Sequence, residues 1–248
     1  MGAPVIEVSG LTMGYGEKVV LRDLTFSVQP GEVFVILGGS GCGKSTLLKH
    51  MIGLYPPMSG HVVIQGRDLV AARGRRRREI LRSFGVMYQS GALFGSLTLL
   101  ENVCLPLEEF TSLPQDAREA VARMKLKLVG LAGAEQKLPS ELSGGMQKRA
   151  AIARAMALDP AILFLDEPQA GLDPVTSAGL DELILTLAGS LGITFVIVSH
   201  ELASIYAIAH RVIMLDPQTK GIIAQGPPRM LRDGSTDPRV RKFFNREA

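Results

Sequence analysis

Nine consecutive residues, Gly38-Gly39-Ser40-Gly41-Cys42-Gly43-Lys44-Ser45-Thr46, constrain this chain more than any other stretch. The first eight fit the spacing G-x-x-x-x-G-K-[ST]. An apolar run over residues 33–37 precedes them, and Leu47, Leu48, Met51 and Ile52 follow at helical spacing, which is the strand-to-helix setting the pattern requires. Glycines let the backbone curl so that successive N–H groups point inward at phosphate oxygens, and the helix N-terminus adds a favourable dipole. In such a loop Lys44 reaches the β- and γ-phosphates of a nucleotide and the Ser45 hydroxyl ligates Mg²⁺. Position 42 asks only for a small residue, although a thiol near a helix N-terminus is also a candidate for a lowered pKa and a redox role. The loop alone specifies a nucleotide-binding protein without saying which kind.

Short β-branched runs recur at 33–37, 61–64, 85–88, 162–165, 193–198 and 211–215. Several lack polar alternation, as expected of strands covered on both faces of a mostly parallel sheet. Helical stripes lie between them: Ala117, Val121, Met124, Leu128 and Leu131, then Leu180, Leu183, Ile184, Leu187 and Leu191. Alternating strands and helices indicate an α/β fold. Residues 90–157 show helical periodicity and loops without a convincing strand and read as a helical insertion. The first 30 residues read as antiparallel strands about Gly14-Tyr15-Gly16. The expectation is one domain over 1–248: a nucleotide-binding core with its β subdomain (1–89 and 158–225), a helical subdomain (90–157) and a C-terminal tail (226–248).

At 248 residues, with 46% hydrophobic and 21% charged, the chain has material for a sizeable core and is not disordered throughout. A formal charge of +3 gives no global reason to expect a nucleic-acid partner. Cys42 and Cys104 are too far apart to suggest a disulfide framework or a zinc site. The N-terminus lacks the pattern of a signal peptide. The uncharged stretch 183–199 falls short of the roughly 18 residues a membrane span needs. It is also interrupted by Ala188-Gly189-Ser190-Leu191-Gly192, which reads as a helix end and a turn.

The apolar run 162–165 ends in Asp166 and Glu167. Acids at the C-terminal edge of a buried strand stand where ligands bind in open α/β sheets. Asp166 suits Mg²⁺, and Glu167, one position on, suits polarising a water aimed at a γ-phosphate. His200 follows another apolar strand and could sense the γ-phosphate. Ser143, Gly144 and Gly145 open a further helix, a second place where backbone amides can meet an anion. One chain with two phosphate readers makes most sense if the second closes on a partner subunit's nucleotide.

The order GGSGCGKST, Gln89, LSGGMQKR, ILFLDEP, AGLDP and SH, spanning nearly the whole chain, resembles the ATPase subunits of ABC transporters. The resemblance implies a P-loop NTPase core of RecA-like type carrying an antiparallel β subdomain and the helical subdomain. It implies ATP and Mg²⁺, Tyr15 stacking on adenine, and Gln89 contacting Mg²⁺. It further implies that Ser143-Gly144-Gly145 grips the partner's γ-phosphate and that Asp173 crosses a homodimer interface. Integral membrane permease subunits would then hold the chain at the cytoplasmic face of the inner membrane.

Tyr88-Gln89-Ser90-Gly91-Ala92-Leu93-Phe94 and Leu99-Leu100-Glu101-Asn102-Val103 are similar to the ATPases of bacterial Mla and mammalian-cell-entry (MCE) phospholipid systems. That similarity implies an MCE-type lipid-binding partner. An ATPase for amino acids, ions or lipoproteins is the alternative, and a non-transport ATPase acting on nucleic acid or ribosomes the more distant one. Gln169 departs from the Phe or Thr such a chain leads one to expect. Arg73 and Arg75 to Arg78 read as a solvated helix face or, less simply, a contact for anionic lipid headgroups. Phe243-Phe244 reads as part of a frayed end or as a dock for a partner chain.

Overall fold

A computed structural model describes residues 2–245. The chain runs β1 (Ile6–Tyr15), β2 (Lys18–Val28), β3 (Val33–Gly38), α1 (Lys44–Met51), β4 (Ser59–Ile64), β5 (Arg67–Asp68), α2 (Gly74–Leu81), β6 (Phe84–Met87), α3 (Leu99–Phe110), α4 (Gln115–Leu128), a 3₁₀ turn (Pro139–Glu141), α5 (Gly144–Ala155), β7 (Ile162–Asp166), α6 (Pro174–Leu191), β8 (Thr194–Val198), α7 (Leu202–Ile208), β9 (Arg211–Asp216), β10 (Gly221–Gly226), α8 (Pro228–Gly234) and α9 (Pro238–Asn245). Two sheets result, one in the order β2-β1-β4-β5 and one in the order β10-β9-β3-β8-β7-β6. The first is antiparallel. In the second, β9, β3, β8, β7 and β6 run parallel and β10 closes the edge antiparallel.

Successive residues of the central strands enter two different cores, so these strands carry no polar alternation. Val33, Val35 and Leu37 face one cluster with Leu163, Leu165, Phe195 and Ile197, the α6 residues Leu180 and Ile184, and residues of α3, α4 and α5. Phe34 and Ile36 face the other with Phe164, Val196, the α1 residues Leu47 and Leu48, and the small sheet. A parallel sheet covered on both sides requires this. Its parallel order also fixes the site: the ends of β3, β8, β7 and β6 open on one edge, where ligands bind in such folds.

Four expectations need correcting. The run at 61–64 forms β4, which pairs with β1 in the small sheet, since a β-branched run does not name its neighbour. The stripe on α4 holds only in part: Val121 packs on the core and Leu131 is buried, but Met124 and Leu128 are exposed while Ala122, Lys125 and Leu126 are buried. Lys125 takes its inward place by pairing with Asp159, a partner 34 residues away. The arginine run is not a uniform solvated face. Arg77 donates to the carbonyls of Leu69 (3.0 Å) and Gly53, and Arg73 to those of Val70 and Ala72; Arg75 pairs with Glu79 at the surface.

Up to Asn245 the C-terminal segment is neither frayed nor free to dock through Phe244, and residues 246–248 lie outside the described residues. Val240 and Phe244 of α9 are buried in the chain's own core, with Phe244 against Tyr206. Arg239 fixes α9 to the end of β9 through Asp216 at 2.9 Å. The Gly-rich break after 188 falls as expected: α6 ends at Leu191, and Gly192 takes the left-handed cap. No helix among the described residues is long and apolar enough to cross a membrane.

Candidate functional site

A cavity of about 740 Å³ opens at the ends of β3, β7 and β8. Gly38, Gly39, Ser40, Gly41, Gly43, Lys44, Ser45 and Thr46 line it, with Tyr15, Gln89, Glu167 and His200. Lys18, Val20 and Phe243 complete the wall; of these the sequence singles out only Phe243, and as part of the chain's end rather than of a nucleotide site. Two glycines are obligatory. At Gly38 (φ 149°) a Cβ would lie 2.5 Å from the Leu215 carbonyl oxygen. At Gly43 (φ 104°), the cap of α1, it would lie 2.9 Å from Val20.

Within the loop, Lys44 donates from Nζ to the carbonyls of Gly38 (3.0 Å) and Gly39 (3.1 Å). Its charge has no acid partner in these bonds, so an anion in the cavity would be its counter-ion. Ser45 Oγ donates to Asp166 Oδ1 at 2.9 Å, setting a hydroxyl and a carboxylate side by side. Paired hard oxygen donors of this kind suit Mg²⁺, which prefers one or two protein oxygens and keeps several waters. Cys42 does not line the cavity; its thiol is buried, and burial pushes its pKa up despite the nearby Lys44. That is the opposite of an activated thiol.

Glu167 is buried and adopts φ 49°, a left-handed backbone that costs a residue with a side chain roughly 1 kcal/mol or more. Its N–H donates to the Val198 carbonyl on β8 (2.9 Å), and its Oε2 lies 2.8 Å from His200 Nδ1. The acid from β7 and the histidine from β8 thus meet across adjacent parallel strands. Tyr15, at the end of β1, stands edge-on to Tyr55 and bonds from its hydroxyl to Thr46 Oγ1 (3.3 Å). Tyr15 is 47% exposed, which leaves surface for a flat base.

Gln89 follows β6, and its backbone carbonyl accepts from Lys148 Nζ of α5. Lys148 is buried, which lowers its pKa, while Glu167 and Asp166 act to raise it. This cation ties the helical region to the carboxylate end of the sheet, and sequence reasoning missed it. Asn102 was quoted only inside a motif. It is fully buried, accepts from the Phe94 N–H and donates to the carbonyls of Phe94, Leu97 and Thr98. It therefore holds the loop that follows Gln89.

The remaining site residues are not brought to the cavity. Ser143, Gly144, Gly145 and Asp173 are absent from its lining. They sit together elsewhere. Ser143 caps α5 through Met146 N–H, and Asp173 caps α6 by accepting from the N–H groups of Val175 and Thr176. Gly145 lies so close to Thr176 that a Cβ there would come within 2.3 Å of its methyl. Two helix N-termini and an exposed acid cap thus share one surface, apart from the chain's own phosphate loop.

The family model described as ABC transporter matches residues 21–170. The "Probable ribonucleotide transport ATP-binding protein mkl" of Mycobacterium tuberculosis is 42% identical over 240 residues, which is 97% of this chain and 66% of that protein. This chain therefore spans just under two thirds of that relative. The "Intermembrane phospholipid transport system ATP-binding protein MlaF" of Escherichia coli K12 is 38% identical over 98% of this chain and 89% of its own length. Among solved structures, cbiO1 of Clostridium perfringens, part of the ABC transporter complex cbiONQ, has TM-score 0.85 at 28% identity over 94% of this chain and 92% of its own. The dimeric post-hydrolysis state of the cassette MJ0796 bound to ADP and Pi has TM-score 0.80 at 30% identity over 90% and 98%. On both sequence and fold, this chain belongs to the ABC transporter family of ATP-binding proteins.

Proposed function

We propose that this chain is the ATP-hydrolysing subunit of an ABC transporter and works as one half of a two-copy ATP sandwich. One observation carries the reading: each copy has a complete phosphate cavity, while its Ser143–Gly145 helix start and Asp173 stand on a separate surface. A second copy supplies a cavity for that surface to close upon. The dimeric state of the MJ0796 cassette is in keeping with this arrangement.

In this mechanism the loop amides of residues 38–46 bind the phosphates, Lys44 leaves its loop carbonyls for the β- and γ-phosphate oxygens, and Tyr15 takes the base. Ser45, Asp166 and Gln89 would hold Mg²⁺, whose chemistry there is to neutralise charge on the β- and γ-phosphates. Glu167 orients the attacking water and takes its proton. His200, whose Nδ1 lies 2.8 Å from Glu167 Oε2, steadies that carboxylate and faces the γ-phosphate. Ser143, Gly144 and Gly145 meet the partner's γ-phosphate, so closure is favoured by ATP and lost with ADP. Ser143→Arg tests it: nucleotide binding to the separate chain persists and turnover falls at least tenfold. Unchanged turnover refutes the sandwich.

The cargo we propose is phospholipid, moved across a bacterial envelope, with permease subunits and an MCE-type lipid-binding protein as partners. Those partners would hold the chain at the cytoplasmic face of the inner membrane. Support comes from the resemblance around Gln89 and from the name of the MlaF relative, which is matched over most of its length. Purification of the tagged chain from its own membranes tests this. Co-purifying permease and bound phospholipid are expected; an assembly free of lipid contradicts it.

A further inference from the structure

Three side chains sealed from solvent lie behind the Glu167–His200 pair and have no part in the mechanism above. Gln169 stands two residues past Glu167 in the turn leaving β7, and it is the position where the chain departs from the expected Phe or Thr. It is 3% exposed, and its Nε2 donates to Asp181 Oδ1 at 2.8 Å. Asp181, on the inner face of α6, is 6% exposed and has beside it the hydroxyl of Ser204, 3% exposed on α7, which favours its ionised form. Burial pushes the Asp181 carboxyl above the ordinary carboxylate range.

The elements these residues join give the arrangement its meaning. The turn carries Glu167, Asp173 caps the start of α6, and α7 begins two residues past His200. Glu167 sits in a strained left-handed conformation, and such a conformation persists only where surrounding bonds over-determine it. Backbone bonds within the turn supply part of this: the Ala170 N–H donates to the Glu167 carbonyl and the Leu172 N–H to the Gln169 carbonyl. The Gln169 side chain adds a tether from the turn to α6, and Ser204 extends it to α7. Polar groups this deeply buried are costly unless bonded, so a connected set rigidifies the segments it joins. One acceptor, Gln169 Oε1, is buried without a donor.

We propose that Gln169, Asp181 and Ser204 form a positioning clasp that holds the Glu167 carboxylate in reach of His200. The clasp rests on the reading of Glu167 as the residue that activates water. It touches no substrate and acts on kcat through the Glu167 turn. In the full chain, Gln169→Leu lowers the kcat of Mg-ATP turnover about tenfold and leaves ATP affinity within about twofold, the pattern of an interaction realised only in the transition state. Asp181→Leu does the same, while the neutral polar isostere Asp181→Asn keeps kcat within about threefold of the parent. If Gln169→Leu does not fold, Ser204→Ala, which deletes one hydroxyl, is expected to lower kcat about threefold.

The deciding comparison places Gln169→Leu in a Glu167→Gln background. A clasp acting through Glu167 leaves the residual turnover unchanged within about twofold, because the two changes remove one interaction. An equal loss in both backgrounds shows a general structural role and overturns the proposal. So does parental kcat in Gln169→Leu beside an inactive Glu167→Gln. Parental turnover in Glu167→Gln itself would instead overturn the assignment of the base, and the clasp with it.

Discussion

At the scale of single residues, chemistry and scaffolding are interleaved around the phosphate loop. Lys44, Ser45, Asp166 and Glu167 follow from two short motifs, because spacing on a strand–turn–helix leaves their side chains little choice. Lys148, Asn102 and Gln169 were illegible as site residues, since each acts through a partner 8 to 59 positions away along the chain. Asn102 gives a direct stability test. Replacing it with Ala strands the Phe94 N–H and three carbonyls near a buried position and costs about 2 kcal/mol or more. Urea midpoints of parent and variant, at equal m-value, measure that loss; a shift below about 0.5 kcal/mol contradicts it.

At the scale of elements, the central strands were legible and the periphery was less so. Strands buried on both faces announce themselves by unbroken apolar runs, whereas β10, half-buried and bounded by glycines, does not. The stripe on α4 held only in part because Lys125 occupies an inward position that only the distant Asp159 makes tolerable. The end of the chain looked polar because its anchoring is by few residues: Val240, Phe244, and the arginine that bridges Asp237 and Asp216.

That bridge predicts a pH response of α9. The Arg239 side chain, more than the backbone N–H groups beside it, holds the Asp237 carboxyl down to about 2 from an ordinary 3.8. A depressed folded-state pKa adds stability that is complete above the ordinary value and is lost as pH falls through about 2. Hydrogen exchange of the α9 amides is therefore expected to be independent of pH-linked opening above pH 4 and to show opening between pH 4 and 2. Asp237→Asn, already neutral, should show that opening at every pH; equal protection in parent and variant at pH 6 contradicts the role given to the bridge.

At the scale of the whole molecule, four parallel strands deliver Gly38, Gln89, Asp166, Glu167 and His200 to one edge, and the helical region presents Ser143, Gly145 and Asp173 on another surface. Sequence order alone gave both sets and the expectation that the second faces a partner, but not the packing of α5 on α6 through Gly145 and Thr176. The separation of the two sets is the reason for proposing the two-copy sandwich. Its most direct test is the mass in solution of the Glu167→Gln chain with Mg-ATP, by light scattering after sizing. The account predicts twice the 26.6 kDa chain with ATP, a return to one chain with ADP, and no doubling when Ser143→Arg is added. A chain that binds ATP yet stays at 26.6 kDa would contradict it.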